Sequence, residues 1–143
     1  MPTLLGLCGV PTPKTVEGLD YSRYANGGKN PGDNSAVIQC VAPFGEWVRL
    51  NGGKEYRGIR TPRYTYVRDI KGPWLLYDNV SDPYQQKNLA GVADATTVQQ
   101  EMDALLTKKL AAVNDEFKPA DFYLTKWGYK DRLDKAGALP TDP

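Results

Sequence analysis

Apolar residues recur along this chain with two different periods, and the change between them divides it. From residue 36 to residue 78 they come in short β-branched and aromatic runs: Val37, Ile38 and Val41; Trp47-Val48-Arg49-Leu50; Tyr56 to Arg60; Tyr64 to Arg68; Trp74 to Tyr77. Such runs between turn residues read as strands. Pro43-Phe44-Gly45 and Asn51-Gly52-Gly53 break the first pieces. Thr61-Pro62-Arg63 closes a β-hairpin, its proline pre-setting the backbone angle, and Lys71-Gly72-Pro73 turns the chain into a strand antiparallel to the one before. From Thr97 the spacing changes to three and four, with Val98, Met102, Leu105, Leu106, Leu110 and Val113 forming the stripe of an amphipathic helix. Thr97 and Gln100 are spaced as a capping box, and Lys108 and Lys109 lie in the last turns, where cations complement the helix dipole. Each large side chain the helix buries contributes roughly 1.5–3 kcal/mol. The pattern predicts an α+β fold: a small antiparallel sheet of about three to four strands packed against a C-terminal α-helix.

The flanks are less regular. Residues 2–8 predict a short helix, with Pro2 at the first helical position and Gly9 at the left-handed position beyond its end. A stub this short does not hold alone, so Leu4, Leu5 and Leu7 need a partner surface. Proline and glycine punctuate residues 10–35, which read as a long irregular connection. Residues 36–143 are expected to form the folded unit. Within it, Asp82-Pro83 opens one short turn through Leu89, and Phe122, Tyr123, Trp127 and Tyr129 dock on the body. The tail from about residue 133 is expected to fray.

Composition narrows the chemistry. The chain has no histidine, which removes Ser-His-Asp, Cys-His and H-E-x-x-H catalysis and the commonest imidazole metal ligand. Lys plus Arg is 18 against 17 for Asp plus Glu, a net +1, so no global field recruits nucleic acid. No stretch approaches the roughly 18 apolar residues of a membrane span. The N-terminus has no basic region before its short apolar run and does not read as a signal peptide, which leaves localisation open. Cys8 and Cys40 lack C-x-x-C spacing and are expected as free thiols. The glycine-rich stretches 25–30 and 51–54 lack phosphate-loop spacing. Asp78 and Asp82 fall short of the six to eight oxygens that calcium takes.

One local charge excess stands out. Over residues 54–71, six cations (Lys54, Arg57, Arg60, Arg63, Arg68, Lys71) oppose Glu55 and Asp69, giving 6 − 2 = +4. Arg57, Arg60 and Arg63 are candidate anion contacts, for instance to a sulfated glycan. The bland reading is a solvated or structural face. Arg57 and Arg60 differ in strand parity and should point to opposite faces.

Three segments in order carry a family resemblance. Met1-Pro2-Thr3-Leu4-Leu5-Gly6-Leu7-Cys8-Gly9-Val10-Pro11, with Val16-Glu17-Gly18 after it, resembles the M-P-T-L-L-x-L-A-G-I-P…v-x-G segment of sulfatases of the alkaline phosphatase superfamily. Tyr56 to Val67 is similar to their W-R-A-I-R-T-x-R-Y-K-Y-I hairpin. Leu76-Tyr77-Asp78…Asp82-Pro83…Asn88-Leu89-Ala90 is similar to L-Y-D-L-x-x-D-P-x-E-x-x-N-L-A. Gly58, Thr65 and Tyr56 depart from the family's alanine, lysine and tryptophan.

The resemblance implies a C-terminal subdomain of a sulfuric ester hydrolase, a fragment or truncated homologue without the catalytic residues and inactive alone. Residues 1–9 would then be a helix remnant of the catalytic-domain boundary. The family's formylglycine cysteine, in a C-x-[P/S/A]-x-R signature, and its calcium ligands would lie upstream. Neither Cys8 nor Cys40 has arginine at the fourth following position, so the resemblance assigns no catalytic, cofactor or metal residue here. It implies the sulfatase catalytic domain as partner, or self-association through residues 1–9, and family members are often exported. The rival reading is a stand-alone module that binds sulfated or other anionic glycans through the basic hairpin.

Overall fold

A computed structural model describes residues 1–132. They form two compact units that divide between Ser35 and Ala36.

In the first unit, helix α1 (Pro2–Leu7) packs on a short helix α2 (Ser22–Ala25) that the proline and glycine content of residues 10–35 concealed. Asp20 starts α2 by accepting from Ser22 N–H at 2.7 Å, and Tyr21 N–H donates to Thr3 Oγ1 across the pair at 3.1 Å. The helices approach at Gly6, where a Cβ would sit 2.5 Å from Ser22 Oγ, so only glycine fits. α1 is thus a formed helix packed on α2, with Pro2 buried but Leu4 and Leu7 exposed.

The second unit is a four-stranded antiparallel meander, β1 (Ala36–Cys40), β2 (Tyr56–Arg60), β3 (Tyr64–Asp69) and β4 (Gly72–Asp78), in that spatial order. Trp47 to Leu50, expected as a strand, instead forms two 3₁₀ turns, Gly45–Trp47 and Arg49–Asn51. Its backbone bonds locally: Gly53 N–H returns to Val48 O at 2.9 Å, which leaves no ladder for a neighbouring strand. Asn88 closes the outer edge of β4 by accepting from Leu76 N–H and donating to Trp74 O.

The long helix α3 (Thr96–Ala112) lies on one face of the sheet. Ile59, Tyr66 and Leu76, one from each of β2, β3 and β4, are fully buried with Leu106, beside Leu110 and Ala95. Val98, Met102 and Leu105 pack at the margin, as their spacing predicts. Val113 does not join them. The helix ends at Ala112, Asn114 turns left-handed at φ 54°, and Val113 is left 67% exposed. The Thr97–Gln100 capping box does not form; a 3₁₀ turn, Ala93–Ala95, leads into the helix, and Thr96 Oγ1 donates back to Ala93 O at 2.8 Å. The segment after Asp82-Pro83 is a turn pinned by Asp82 Oδ2 accepting from Lys87 N–H, without a helix.

A second unanticipated helix, α4 (Ala120–Lys126), carries Phe122 and Tyr123 and is followed by Trp127 and Tyr129. Tyr123 docks, whereas Phe122, Trp127 and Tyr129 stay 40–54% exposed. The expected frayed tail lies outside the described residues. No described helix is long and apolar enough to cross a membrane.

Candidate functional site

The three candidate anion contacts do not converge. Arg57 shares strand parity with Ile59 and therefore points to the helix side, where its side chain is only 1% exposed. Its Nε donates to Asp115 Oδ2 at 2.5 Å and its Nη2 to Asp115 Oδ1 at 3.3 Å. Nη1 donates to the carbonyls of Cys40 and Tyr56. The guanidinium lies 4.7 Å from the Phe117 ring centroid. Asp115 also accepts from Phe117 N–H and from the Tyr123 hydroxyl. Burial alone would raise the Asp115 carboxyl's pKa, but the Arg57 fork and these donors outweigh it and hold the group below the usual aspartate range. Arg57 is thus a structural cation already neutralised, which corrects its expected place at the surface.

Arg63 reaches the surface but donates through Nε and Nη2 to Asp78 Oδ2, at 3.2 and 3.0 Å. That bond, aided by the Val80 and Ser81 N–H groups, lowers the Asp78 pKa. Arg60 points to the opposite face from Arg57, as parity predicts, and donates to Thr65 Oγ1 at 3.1 Å. Of the six cations behind the +4 excess, four hold carboxylates: Lys54 with Asp69, Arg57 with Asp115, Arg63 with Asp78, and Arg68 with Asp103. Asp78, Asp103 and Asp115 come from outside the hairpin, so the local excess is spent on ion pairs. A polyanion-binding hairpin has no support in this geometry.

Nothing in sequence spacing pointed to Asp115, Asp103 or Glu55 as partners. Glu55 is buried, accepts two bonds from Arg49 Nη2 at 2.9 Å, and accepts from Ala120 N–H at 3.0 Å, tying the start of α4 to the sheet. The available signal was parity: a cation sharing a face with Ile59 must find a buried carboxylate.

Among the described residues, neither the cysteines nor the carboxylates make a site for the cofactors that the resemblance implies. Among the described residues, no group of three or more Cys, Asp or Glu stands close enough to hold a metal ion. Cys40 is buried, and that burial raises its thiol pKa; Cys8 lies exposed at the end of α1.

The sheet face away from α3 has a different character. Ile38, Tyr56, Thr65, Val67, Leu75 and Tyr77 point there. A β-bulge adds Trp74: Val67 pairs with Leu75 and Arg68 with Pro73, so Trp74 faces no partner residue and turns to the open side. Its ring centroid lies 6.2 Å from that of Tyr56, and Lys54 Nζ sits 3.9 Å above it. The sheet residues of this face, with Trp47 and Gln85 but not Lys54, line a groove of about 340 Å³. Trp47 and Tyr56 also border a second, apolar groove of about 720 Å³ that continues to Phe44, Leu124, Trp127 and Tyr129.

Comparison with known proteins places this chain. The family described as N-sulphoglucosamine sulphohydrolase, C-terminal, matches residues 1–112. An ulvan-active sulfatase of Formosa agariphila is 45% identical over 130 residues, covering 90% of this chain and 25% of that protein. A delta 4,5-hexuronate-2-O-sulfatase of Bacteroides thetaiotaomicron is 29% identical over 119 residues, covering 82% of this chain and 24% of that protein. A crystal structure of a sulfatase candidate from the same organism superposes with a TM-score of 0.68 at 27% identity, over 81% of this chain and 24% of that one. The chain spans about a quarter of the length of the relatives it matches.

Proposed function

The chain belongs to the sulfatase family, to whose C-terminal portion it corresponds, and from that premise we propose that it completes a sulfuric ester hydrolase whose chemistry is carried by residues outside this segment. The observation that carries this reading is the match over residues 1–112, joined to a site inventory with no histidine and no metal cluster among the described residues. The partner in this reading is a sulfatase catalytic domain. The formylglycine and calcium of the resembled family would be held there, since neither Cys8 nor Cys40 has the sequence signature for the first and no described acidic cluster suits the second. The substrate class is a sulfated carbohydrate, on the strength of the ulvan and hexuronate named for the relatives. The exposed Leu4 and Leu7 of α1 would give that domain, or failing it a second copy, an apolar contact.

The test is direct. Purified chain, incubated with a chromogenic sulfate ester and with ulvan, should release no sulfate by ion chromatography. Measurable release by the chain alone would overturn the reading.

A further inference from the structure

We propose that the groove on the open face of the sheet is a subsite for one anionic sugar unit, whose carboxylate or sulfate ester is held by Arg60 while its ring lies on the groove's aromatic lining; this rests on the reading that the chain is the C-terminal portion of a carbohydrate sulfatase. Arg60, Thr65 and Tyr77 stand side by side across β2, β3 and β4 on that face. The β1 residue opposite Arg60 is Ala36, whose methyl group offers the guanidinium no acceptor. Among the described residues no carboxylate pairs with Arg60. Its side chain is exposed and spends a single bond, from Nη1 to Thr65 Oγ1 at 3.1 Å. A hydroxyl satisfies one of five donors and leaves the charge uncompensated.

The polar groups around Arg60 leave donors over, not acceptors. Between them Arg60, Gln85 and the Thr65 hydroxyl donate to only two oxygens, Thr65 Oγ1 and Asn79 Oδ1. Asn79 Nδ2 is buried with no acceptor at all, an arrangement that folded proteins rarely keep without a reason. Gln85, whose amide completes the cluster, holds φ at 53°, in the left-handed region that costs a residue with a side chain. An oxyanion beside Arg60 would bring the missing acceptors, and the guanidinium fork matches the oxygens of a carboxylate or a sulfate.

Beyond Thr65 and Gln85 the groove is lined by Tyr77, Tyr56, Trp74 and Trp47, and by no carboxylate. The C–H faces of a sugar ring stack on such rings, and an aromatic lining with a few convergent polar groups is the usual form of a small-ligand site. A neutral sugar or an apolar peptide would cover the rings but leave Arg60 and Asn79 unanswered. A polyanion would need the row of free cations that the ion pairs of Arg57, Arg63 and Arg68 remove. One charged group on one sugar unit meets both ends of the groove.

The test titrates the isotope-labelled chain, followed by NMR, with methyl glucuronide, a methyl glucoside carrying one sulfate ester, the neutral methyl glucoside and inorganic sulfate. At least one charged glycoside should shift the side-chain signals of Arg60 Nε, Asn79 Nδ2 and Trp74 Nε1 to saturation, and bind about tenfold tighter than the neutral glycoside or inorganic sulfate. Whichever of the two binds tighter names the group, carboxylate or sulfate ester. Arg60→Gln should weaken that binding about tenfold, and Lys71→Gln, at an exposed cation of the β3–β4 turn, should leave it unchanged. Should Arg60→Gln not fold, Gln85→Gly, which suits the left-handed backbone, should weaken binding in its place. Unchanged binding in the folded variant, or an equal loss in Lys71→Gln, overturns the proposal, as does no response to either charged glycoside. Equal binding of the neutral glycoside would mean an aromatic platform without anion recognition, and equal binding of inorganic sulfate a bare ion site; both also overturn it. A chimera that joins the first three quarters of the ulvan-active sulfatase to this chain judges the family reading apart. A folded chimera that frees no sulfate from ulvan counts against that reading whatever the titration shows, and sulfate release beside a failed titration sinks the subsite alone.

Discussion

Replacing Asp115 by asparagine would remove a charge while keeping the side chain's shape and much of its hydrogen bonding. Phe117 N–H and the Tyr123 hydroxyl would still find an acceptor oxygen, so the loss falls on the Arg57 pair. Arg57 is 1% exposed and Asp115 14%, which leaves the guanidinium with little water to turn to. Breaking a buried pair by removing one partner costs about 3–5 kcal/mol. The residual exposure of Asp115 and the two carbonyls that Arg57 keeps place the expected loss near the lower figure, about 3 kcal/mol. For a unit of this size that is a fall in Tm of roughly 12 °C. Urea unfolding followed by circular dichroism should show a lower midpoint at an unchanged slope. The double variant Arg57→Met/Asp115→Leu should lose far less than Arg57→Met and Asp115→Leu added together, because it strands no charge. A loss below about 1 kcal/mol in Asp115→Asn, or simple additivity in the double variant, would refute the view that the pair is a buried structural clasp.

The same clasp sets a pH response. The folded pKa of Asp115 lies below its unfolded value, so its stabilisation is fully present above the ordinary aspartate range and is lost as pH falls through the folded value. Tm should therefore drop below about pH 4, and Asp115→Asn should flatten that limb in part, since Glu55, Asp69 and Asp78 are lowered too. Leu106→Ala empties a fully buried position against Ile59, Tyr66 and Leu76 and should cost about 2–5 kcal/mol by urea denaturation. Tyr66→Phe removes the 2.8 Å bond to Asp103 and should cost about 1–2 kcal/mol; in the parent, ultraviolet titration should show this phenol resisting ionisation past the usual tyrosine range until the chain unfolds. Gly53→Ala drives a Cβ into the carbonyl of Trp47 and should displace the 3₁₀ turns, read as a change in tryptophan near-ultraviolet circular dichroism with the sheet signal retained.

Much of the sheet and its helix was legible because period and local chemistry agreed. Tyr56 to Arg60 and Tyr64 to Arg68 alternate around a proline turn, and the three-and-four spacing from Val98 to Leu110 meets a buried stripe. The readings that differ fall where local pattern competes with contacts distant in sequence. Trp47 to Leu50 looks like a strand until Gly53 folds back on Val48, and α4 is held at its start by Glu55, 65 residues away. The basic hairpin is the clearest case: counted along the chain it is a +4 patch, and in three dimensions Asp78, Asp103 and Asp115 cancel most of it. Parity alone separated Arg57 from Arg60, and it also implied that Arg57 needed a buried partner. Which residue would supply that partner depended on the chain reversal at Asn114 and Phe117, both of them left-handed non-glycine positions that no periodicity announces.

Sulfate release by the chimera that carries this chain in place of the C-terminal quarter of the ulvan-active sulfatase tests the central claim most directly. If the chain is the C-terminal portion of a sulfatase, the chimera should free sulfate from ulvan while the same enzyme without any C-terminal quarter does not. A chimera that melts cooperatively like its parent yet frees no sulfate, beside an active parent, would contradict it.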